Sequence, residues 1–280
     1  MDLNDSVVII DKPSGHTSHE ITSFVKKITG SKRSGHAGTL DPNVTGVLPV
    51  ALGKATKLLR YIAGKDKVYV GIAKFRKILS KEEIEKLFSE FTGEISQIPP
   101  KKSAVRRKKR KRKVYYLKLL EVKGHLALFE TKVDAGTYIR TLCTDMGKKV
   151  GGARMEELRR TAVGNIKEEK AVTMQSLIDA MWLLKNKEDD SLLKKMLYSP
   201  DEFVSFKKIT VKDNAASALK QGAQLTVPGI ISFDKKIEKG ERVSIYSEDK
   251  FIGVGVSQID GKDFEKMKKG IAVKTERIHV

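Results

Sequence analysis

The sequence has little of what disulfides, metal centres and membrane spans require. Its 280 residues include one cysteine, Cys143, and five histidines. A single cysteine excludes an internal disulfide, and the histidines are too scattered to suggest zinc ligands. No stretch of 18 residues is continuously apolar, and the first residues, MDLNDSVV, lack the basic and apolar regions of a signal peptide. We therefore expect a cytoplasmic protein with no metal and no membrane partner.

Acidic residues are scarce relative to basic ones. The 35 Asp and Glu residues oppose 55 Lys and Arg residues, which gives a formal net charge of +20. Such an excess favours a polyanionic partner. The densest segment is 101–113, where ten of thirteen residues are Lys or Arg. A charge run is most often a solvated or disordered face, but this one is too positive to serve only as a solubilising surface.

The hydrophobic spacing predicts alternating short strands and amphipathic helices. The ranges with strand patterns are 7–10, 68–75, 114–122 and 126–133, and the last two form a β-hairpin. The ranges with helical patterns are 17–30, 54–63, 80–93, 137–149 and 173–185. Thr17 and Glu20 are expected to form the capping box of the first helix, and Gly30 to end it. Residues 151–164 are expected to form a basic turn.

The pattern changes near residue 200. Residues 185–198 are charged and poorly patterned, and we place a domain boundary between Ser199 and Lys207. Beyond it, short strand-like runs are separated by Gly and Asp, which is typical of a compact, mostly β module. The expected domains are residues 1–203 and 204–280.

The chain is organised around residues 35–52, GHAGTLDPNVTGVLPVAL. Three glycines and two prolines within this stretch exclude a regular helix and predict an irregular loop whose backbone can approach a ligand. Asp41 is the only acidic residue between Glu20 and Asp66. It either starts an Asp-Pro turn with a purely structural role or presents a lone carboxylate to a ligand.

Arg140 lies in the first turn of the helix predicted at 137–149, where the helix dipole disfavours a cation by about 0.3–1 kcal/mol. We expect a distant carboxylate to hold it there, although an unpaired surface arginine is the simpler alternative. Cys143 falls on the apolar stripe of the same helix and is most simply a small core residue.

Several blocks taken in order resemble the TruB/dyskerin family of pseudouridine synthases. The blocks are DKPSGHTS (11–18), GHAGTLDP (35–42), TGVLP (45–49), Lys67 with Tyr69, IPPKKSAV (98–105), AGTYIRTL (135–142) and LRRT (158–161). The C-terminal module, with QGAQLTVPGI (221–230) and KKGIAV (268–273), resembles a PUA domain, a small RNA-binding β-barrel. The resemblance implies an α+β fold with a mixed, mainly antiparallel sheet and flanking helices, followed by the small barrel.

The resemblance also implies a reaction. A uridine in RNA loses its glycosidic bond, and the base turns and is rejoined through carbon, with no cofactor. Asp41 matches the family's nucleophile, and Arg140 matches the arginine that pairs with it and orients its oxygens. Tyr69 matches the aromatic residue that stacks on the target base. Without the resemblance, Tyr69 would be read as an ordinary strand tyrosine.

Further residues are expected to hold the RNA. His36 matches a residue near the flipped nucleotide and is expected to position RNA rather than to transfer protons. Lys12 belongs to a block that supports the floor of the active site. The arginines expected to bind RNA are Arg106 and Arg107 of the basic run and Arg159 and Arg160 of the LRRT block.

The short connection between Ser103 and Tyr115 favours the archaeal and eukaryotic branch of the family. The implied partners are RNA, either a tRNA T-arm or an H/ACA guide RNA with its rRNA target, and small H/ACA accessory proteins. Only ten residues precede Asp11, fewer than in most members of that branch. The competing hypothesis is a catalytically inert RNA-binding assembly factor, which would have no need for a carboxylate in a site that receives phosphates.

Overall fold

The computed structural model describes residues 3–100, 105–204 and 206–279. The first half of these residues forms β1 (Val7–Lys12), α1 (Ser18–Thr29), β2 (Ser34–His36), β3 (Thr45–Leu52), α2 (Leu59–Ala63), β4 (Lys67–Phe75), α3 (Lys81–Glu90), β5 (Gly93–Gln97), β6 (Arg110–Lys123) and β7 (Leu126–Val133). The remainder forms α4 (Ile139–Val150), β8 (Ala153–Val163), β9 (Ile166–Lys167), α5 (Met174–Lys187), α6 (Ser191–Met196), β10 (Leu197–Tyr198), β11 (Lys207–Val211), α7 (Asp213–Lys220), β12 (Leu225–Thr226), β13 (Ile230–Phe233), β14 (Arg242–Ser247), β15 (Lys250–Ser257) and β16 (Ile271–Ile278).

Two sheets organise these elements. The larger has the strand order β10-β1-β3-β8-β4-β7-β6-β5, with β2 added beside β3 and β9 beside β8. Its pairings are antiparallel except for β3 with β8. The smaller sheet has the order β12-β16-β15-β14-β11-β13 and curls into a half-barrel, with only β11 and β14 parallel. The predicted α+β class, with a mainly antiparallel sheet, is confirmed.

Helices cover both parts of the large sheet. α3 and α4 pack on β4, β6, β7 and β8 through a core that includes Phe88, Phe129 and Leu142. α1, α5 and α6 pack on β1 and β3 through a second core that includes Ile10, Val25 and Leu177. Because the first core also contains Leu40 and Val44, the loop that carries Asp41 is anchored in it.

Local sequence signals set most helix ends. Thr17 caps α1 in the predicted capping box with Glu20, and Gly30 ends the helix with φ of 68°. Ser80 and Glu83 cap α3 in the same way. The predicted end of α3 at Gly93 is wrong, because the helix ends at Glu90 and Gly93, with φ of 95°, turns the chain into β5. The helix predicted from residue 54 begins as a 3₁₀ segment, Gly53–Leu58.

Two sequence predictions are corrected by the sheet. Residues 35–52 are not loop throughout, because β2 and β3 take both ends and leave only residues 37–44 irregular. Pro49 is tolerated inside β3 because of its place in the sheet. Its carbonyl accepts a hydrogen bond from the Ala37 N–H, one residue beyond the end of β2, so the N–H that proline lacks would lie where the β2–β3 pairing has already ended. Residues 153–163 form the central strand β8, not a basic turn.

The C-terminal elements agree with the short runs predicted there, with two additions. Helix α7 and strand β13 were not predicted, since neither has a long apolar pattern. The two parts of the chain meet in a small cluster of Leu58, Tyr61, Val204, Phe251 and Val254. Within the described ranges, no helix is both long enough and apolar enough to cross a membrane.

Candidate active site

The loop of residues 37–44 joins β2 to β3 and carries Asp41 at its exposed tip. Leu40 and Val44 on either side are buried, with 3% of their surface exposed. Ser18, at the start of α1, accepts a hydrogen bond from the Leu40 N–H (2.8 Å) and donates one to the Leu40 carbonyl (3.0 Å). The Val44 N–H donates to the Asp41 carbonyl at 3.0 Å. The aspartate therefore starts a turn, as its sequence context suggests, and the turn is fixed on both sides.

Lys12 holds the same loop from below. Its side chain is fully buried, and its ammonium donates to the carbonyls of Pro13 (2.8 Å), Pro42 (2.8 Å) and Val44 (2.9 Å). Burial lowers the pKa of Lys12, while the charges of Asp41 and Glu20 act in the opposite direction. This position matches the expected role in the floor of the site. It leaves no surface of Lys12 for direct contact with RNA.

Arg160 is a second buried cation behind the loop. It is 1% exposed, and its guanidinium donates to the carbonyls of Val47 (2.8 Å) and Gly38 (3.0 Å). Strand β8 comes so close here that a Cβ on Gly46, which has φ of 100°, would lie 2.2 Å from the Arg160 carbonyl. Only glycine fits at that position. The structure thus places Arg160 out of reach of RNA, contrary to our expectation of a direct contact, and assigns it to holding the loop.

Arg140 reaches Asp41 from across the sheet. It is the second residue of α4, and its guanidinium donates to Asp41 Oδ2. The two side chains are 51% and 48% exposed, so the pair lies at an open surface. The carboxylate expected for the helix-start arginine is therefore Asp41, which is 99 residues away in the chain. In this geometry the guanidinium fixes the orientation of one carboxylate oxygen.

Gln97 fixes the start of α4. Its buried side-chain amide donates to the Tyr138 carbonyl (3.1 Å) and accepts from the Tyr138 N–H (3.0 Å). Arg112 of β6 donates to the Gly136 carbonyl at 3.1 Å. These bonds position the residues that precede Arg140, because Tyr138 is the N-cap of α4 and has no capping bond from its own side chain.

Tyr69 lies on β4 in the same core as Leu40 and Val44, and it is 8% exposed. Its hydroxyl interacts with the buried Arg160 guanidinium. Lys67, two residues earlier on the same face of β4, donates to the carbonyls of Ala63 (2.5 Å) and Lys65 (2.6 Å) at the end of α2. Burial and the neighbouring Arg160 lower the pKa of Lys67 to about 8. Tyr69 is thus linked to the loop through Arg160, whereas Lys67 is held at the end of α2 and its charge repels that of Arg160.

The other predicted RNA-binding residues lie at different places. His36 is half-buried on β2, and burial, Arg160 and His19 lower its pKa, so a neutral imidazole is favoured. Arg159 points to the opposite face of β8 and forms ion pairs with Asp11 (2.9 Å) and Glu168 (2.9 Å). Arg106 and Arg107 are exposed before β6, and Arg107 donates to the Pro99 carbonyl at 3.2 Å.

The structure therefore brings together Asp41, Arg140, Tyr69, Lys12 and Arg160, and it leaves Arg106, Arg107 and Arg159 outside this group. Sequence reasoning missed Ser18 and Gln97 as supports of the site. Ser18 follows the recognised cap Thr17 and could have been suspected, whereas nothing near Gln97 in the sequence signals its contact with Tyr138. The arrangement presents the exposed Asp41 carboxylate, contacted by Arg140, on a loop held by the buried cations Lys12 and Arg160.

Comparison with known proteins assigns the fold and site to a class. Residues 26–80 and 74–139 match the model of the TruB family pseudouridylate synthase N-terminal domain, residues 140–205 match the tRNA pseudouridylate synthase B C-terminal domain, and residues 207–279 match the PUA domain. A protein of Pyrobaculum calidifontis named probable tRNA pseudouridine synthase B is 44% identical over 276 residues, 98% of this chain and 83% of that protein. The protein of the same name from Methanocaldococcus jannaschii is 43% identical over 98% of this chain and 82% of its own length.

Solved structures agree with the sequence relatives. The chain superposes with a TM-score of 0.92 and 39% identity on a chain in a Cbf5-Nop10-Gar1 complex, covering 99% of this chain and 86% of that one. It superposes with a TM-score of 0.91 and 36% identity on a chain in an H/ACA RNP bound to a substrate RNA containing 2'-deoxyuridine, with the same coverage. The fold is that of an RNA-modifying isomerase. The chain belongs to the TruB family and is a pseudouridine synthase, as the resemblance of its motifs implied.

Proposed function

We propose that Asp41 is the nucleophile of this pseudouridine synthase and that Arg140 positions it. The contact between these two side chains, made across 99 residues of sequence, carries the proposal. A carboxylate needs no separate base to become nucleophilic, whereas a hydroxyl would. Arg140 orients the carboxylate through Oδ2 and leaves the second oxygen, Oδ1, available to the substrate.

The reaction balances without a cofactor. If Asp41 attacks the sugar at C1′, the C1′–N1 bond breaks and the uracil leaves with the electron pair. The base turns, C5 attacks C1′, and the bond to Asp41 breaks with its electrons returning to the carboxylate. Loss of the proton at C5 and protonation of N1 complete the isomerisation. Attack on the base at C6 is the alternative route for the same residue, and it also releases the carboxylate at the end.

Tyr69 supports the flipped base. Turning a uridine out of structured RNA costs a few kcal/mol, and stacking on an aromatic ring recovers about 1–3 kcal/mol of it. The interaction of the Tyr69 hydroxyl with Arg160 restricts the side chain before RNA binds. Stacking of the base on the ring would therefore cost Tyr69 little further conformational entropy. His36, neutral in this environment, is proposed to position the neighbouring RNA.

The proposed substrates are the T-arm uridine of tRNA and uridines in rRNA chosen by an H/ACA guide RNA. The relatives are named for the first activity, and the superposed structures contain the proteins and RNA of the second. In this proposal residues 1–203 form the catalytic domain and residues 204–280 the RNA-binding PUA domain. Small accessory proteins of the Nop10 and Gar1 kind are proposed partners, and the cytoplasm is the proposed location.

Mapping the modified positions tests the proposal. Purified protein is mixed with an unmodified tRNA transcript, first alone and then with a guide RNA, its target and the accessory proteins, and pseudouridines are mapped on each RNA. We expect modification in at least one arrangement. Modification of bare tRNA at the T-arm supports stand-alone activity, and strict dependence on the guide supports guided activity. No pseudouridine in any arrangement would refute the proposed function.

The basic run is proposed to bind RNA phosphates without choosing the target. The exposed residues Arg106, Lys108 and Lys109 precede β6, whereas Arg112 within β6 already holds the Gly136 carbonyl. Replacing the three exposed residues by Gln is expected to weaken tRNA binding and to lower the slope of log K against log salt by about 0.7–0.9 for each phosphate that the protein no longer neutralises. Filter binding across a salt series measures both quantities.

The matched control replaces the exposed lysines Lys185, Lys187 and Lys195 of α5 and α6 by Gln, which removes the same charge. We expect it to change the slope less. If the run variant modified a different uridine from the wild type, the run would read position as well as charge, and this prediction would fail.

A further inference from the structure

A pocket lies where the two parts of the chain meet, and neither Asp41 nor Arg140 is among its lining residues. It has a volume of about 460 Å³ and is lined by Arg60, Tyr61, Gly64 and Lys65 from the region of α2, Val204 and Phe206 from the connection, and Arg242 from β14. This volume falls within the range of about 300–1,000 Å³ typical of small-ligand sites. Because its walls come from both parts of the chain, whatever binds there contacts both at once.

The pocket carries more positive than negative charge. Glu276 of β16 pairs with Arg60 (2.5 Å) and with Arg242 (2.8 Å) and accepts from the Tyr61 hydroxyl (3.2 Å). One carboxylate thus serves two guanidinium groups, and these lower the pKa of Glu276. With Lys65, the pocket has three cations and the single Glu276 carboxylate, which leaves a net charge of two positive charges around it.

Two observations indicate that the cations are held in place for a ligand. Arg60 and Arg242 stay 45% and 51% exposed while Glu276, their shared partner, is only 23% exposed. The guanidinium groups are therefore oriented from behind and keep donors facing solvent. The Lys65 ammonium donates to Asn165 Oδ1 at 3.2 Å. Partial burial lowers the pKa of Lys65, and a nearby anion would favour the charged form again.

The apolar wall adds a flat surface beside the charges. Phe206 is partly buried and packs edge-on against Tyr61, with ring centroids 5.6 Å apart. The Arg60 guanidinium lies over the Tyr61 ring, 4.8 Å from its centroid. Proteins that bind single-stranded nucleic acids combine cations, which contact the phosphates, with aromatic rings, which stack on the bases.

We propose that this pocket binds one nucleotide of the RNA strand, with the phosphodiester facing Arg60, Lys65 and Arg242 and the base against Phe206. An RNA strand is favoured over a free nucleotide because the whole chain carries a charge of +20 and belongs to a family that acts on RNA. The inference rests on the proposed function only in taking RNA as the ligand. An RNA bound there would hold the C-terminal module against α2 while the target uridine occupies the Asp41 site.

The test uses the double variant Lys65→Gln with Arg242→Gln in the full chain, and an unmodified tRNA transcript as the probe. We expect binding to weaken about tenfold, the change produced by losing one charge-assisted hydrogen bond, and the salt slope to fall by about 0.7–0.9 for one phosphate. The control Lys26→Gln with Lys27→Gln on α1 removes equal charge from exposed positions, and we expect less than a twofold change. Equal weakening by both variants, or none by the first, overturns the proposal.

Three further measurements make the result specific. Lys65→Gln alone leaves the Glu276 pairs intact, so weakened binding by a variant with an unchanged unfolding midpoint supports a ligand contact. Uridine 5′-monophosphate at millimolar concentration should not displace the RNA, and displacement would overturn the assignment to a strand. RNA carrying 5-iodouridine should cross-link to the peptide that contains Phe206. Since each readout is binding, an inactive Asp41 site would leave these results unchanged, and the two proposals fail separately.

Discussion

Replacing Asp41 by Asn is expected to abolish pseudouridine formation while RNA affinity stays within a few fold. The amide keeps the size of the side chain and can still accept a hydrogen bond from Arg140, but it is no longer an anionic nucleophile. Removing the nucleophile of a covalent mechanism lowers the rate by more than about three orders of magnitude. Tritium release from RNA carrying 5-tritiated uracil measures the reaction, and filter binding measures the affinity.

Asp145→Asn is the matched control for that substitution. Asp145 lies on α4, the helix that carries Arg140, and it forms an ion pair with the neighbouring Lys148 at 2.5 Å. The same chemical change there should leave tritium release close to the wild-type rate, since exposed ion pairs of this kind contribute at most about 1 kcal/mol. Substantial activity in Asp41→Asn would refute the assignment of the nucleophile. Loss of activity with unchanged binding would refute the inert assembly factor.

The second large effect is expected from Lys12→Met. Methionine fills nearly the same volume, but the Pro13, Pro42 and Val44 carbonyls lose their shared donor. The Pro42 carbonyl keeps the Gly15 N–H at 3.0 Å, so the buried Val44 carbonyl bears most of the loss. With about 1–3 kcal/mol for an unsatisfied buried group, we expect the free energy of unfolding to fall by about 2–3 kcal/mol. Denaturant unfolding followed by circular dichroism measures it.

The same substitution is expected to lower kcat by about 10–100-fold at temperatures where the variant is fully folded, because the loop that aims Asp41 loses a support and misplacements near 1 Å are costly. A positioning role predicts that KM for RNA changes little. Lys148→Met, an exposed change on α4, should alter stability by less than about 0.5 kcal/mol and leave kcat unchanged. If Lys12→Met were as active as the wild type, the buried ammonium would have no role in positioning Asp41.

Several predictions that depend on local sequence were confirmed. The capping box of Thr17 and Glu20, the stop at Gly30 and the hairpin of β6 and β7 follow from residues close together in the chain, so short-range physics determines them. The prediction for residues 151–164 was wrong for the opposite reason. Arg159 and Arg160 make the segment look like a solvated turn, but Asp11 and Glu168 pair with Arg159, and the carbonyls of Val47 on β3 and Gly38 in the loop accept from the buried Arg160.

Arg160, expected to bind RNA, and Lys12, expected in the floor of the site, show the same limit. A basic side chain in a basic protein suggests a phosphate partner, and composition alone cannot tell an exposed cation from a buried one. In the fold both side chains are enclosed and hydrogen bonded to the loop around Asp41. Their charge is used within the protein, because buried donors must find acceptors once water is excluded.

The sequence by itself determined the family, the chemistry expected of Asp41 and the helix and strand patterns, because motifs and caps are read from neighbouring residues. Only the tertiary structure decided which cations face solvent, which hold the loop, and that α2 and β14 share a pocket around Glu276. Those facts depend on contacts between residues far apart in the chain. Burial and pairing of charges arise only when the sheet and helices have packed.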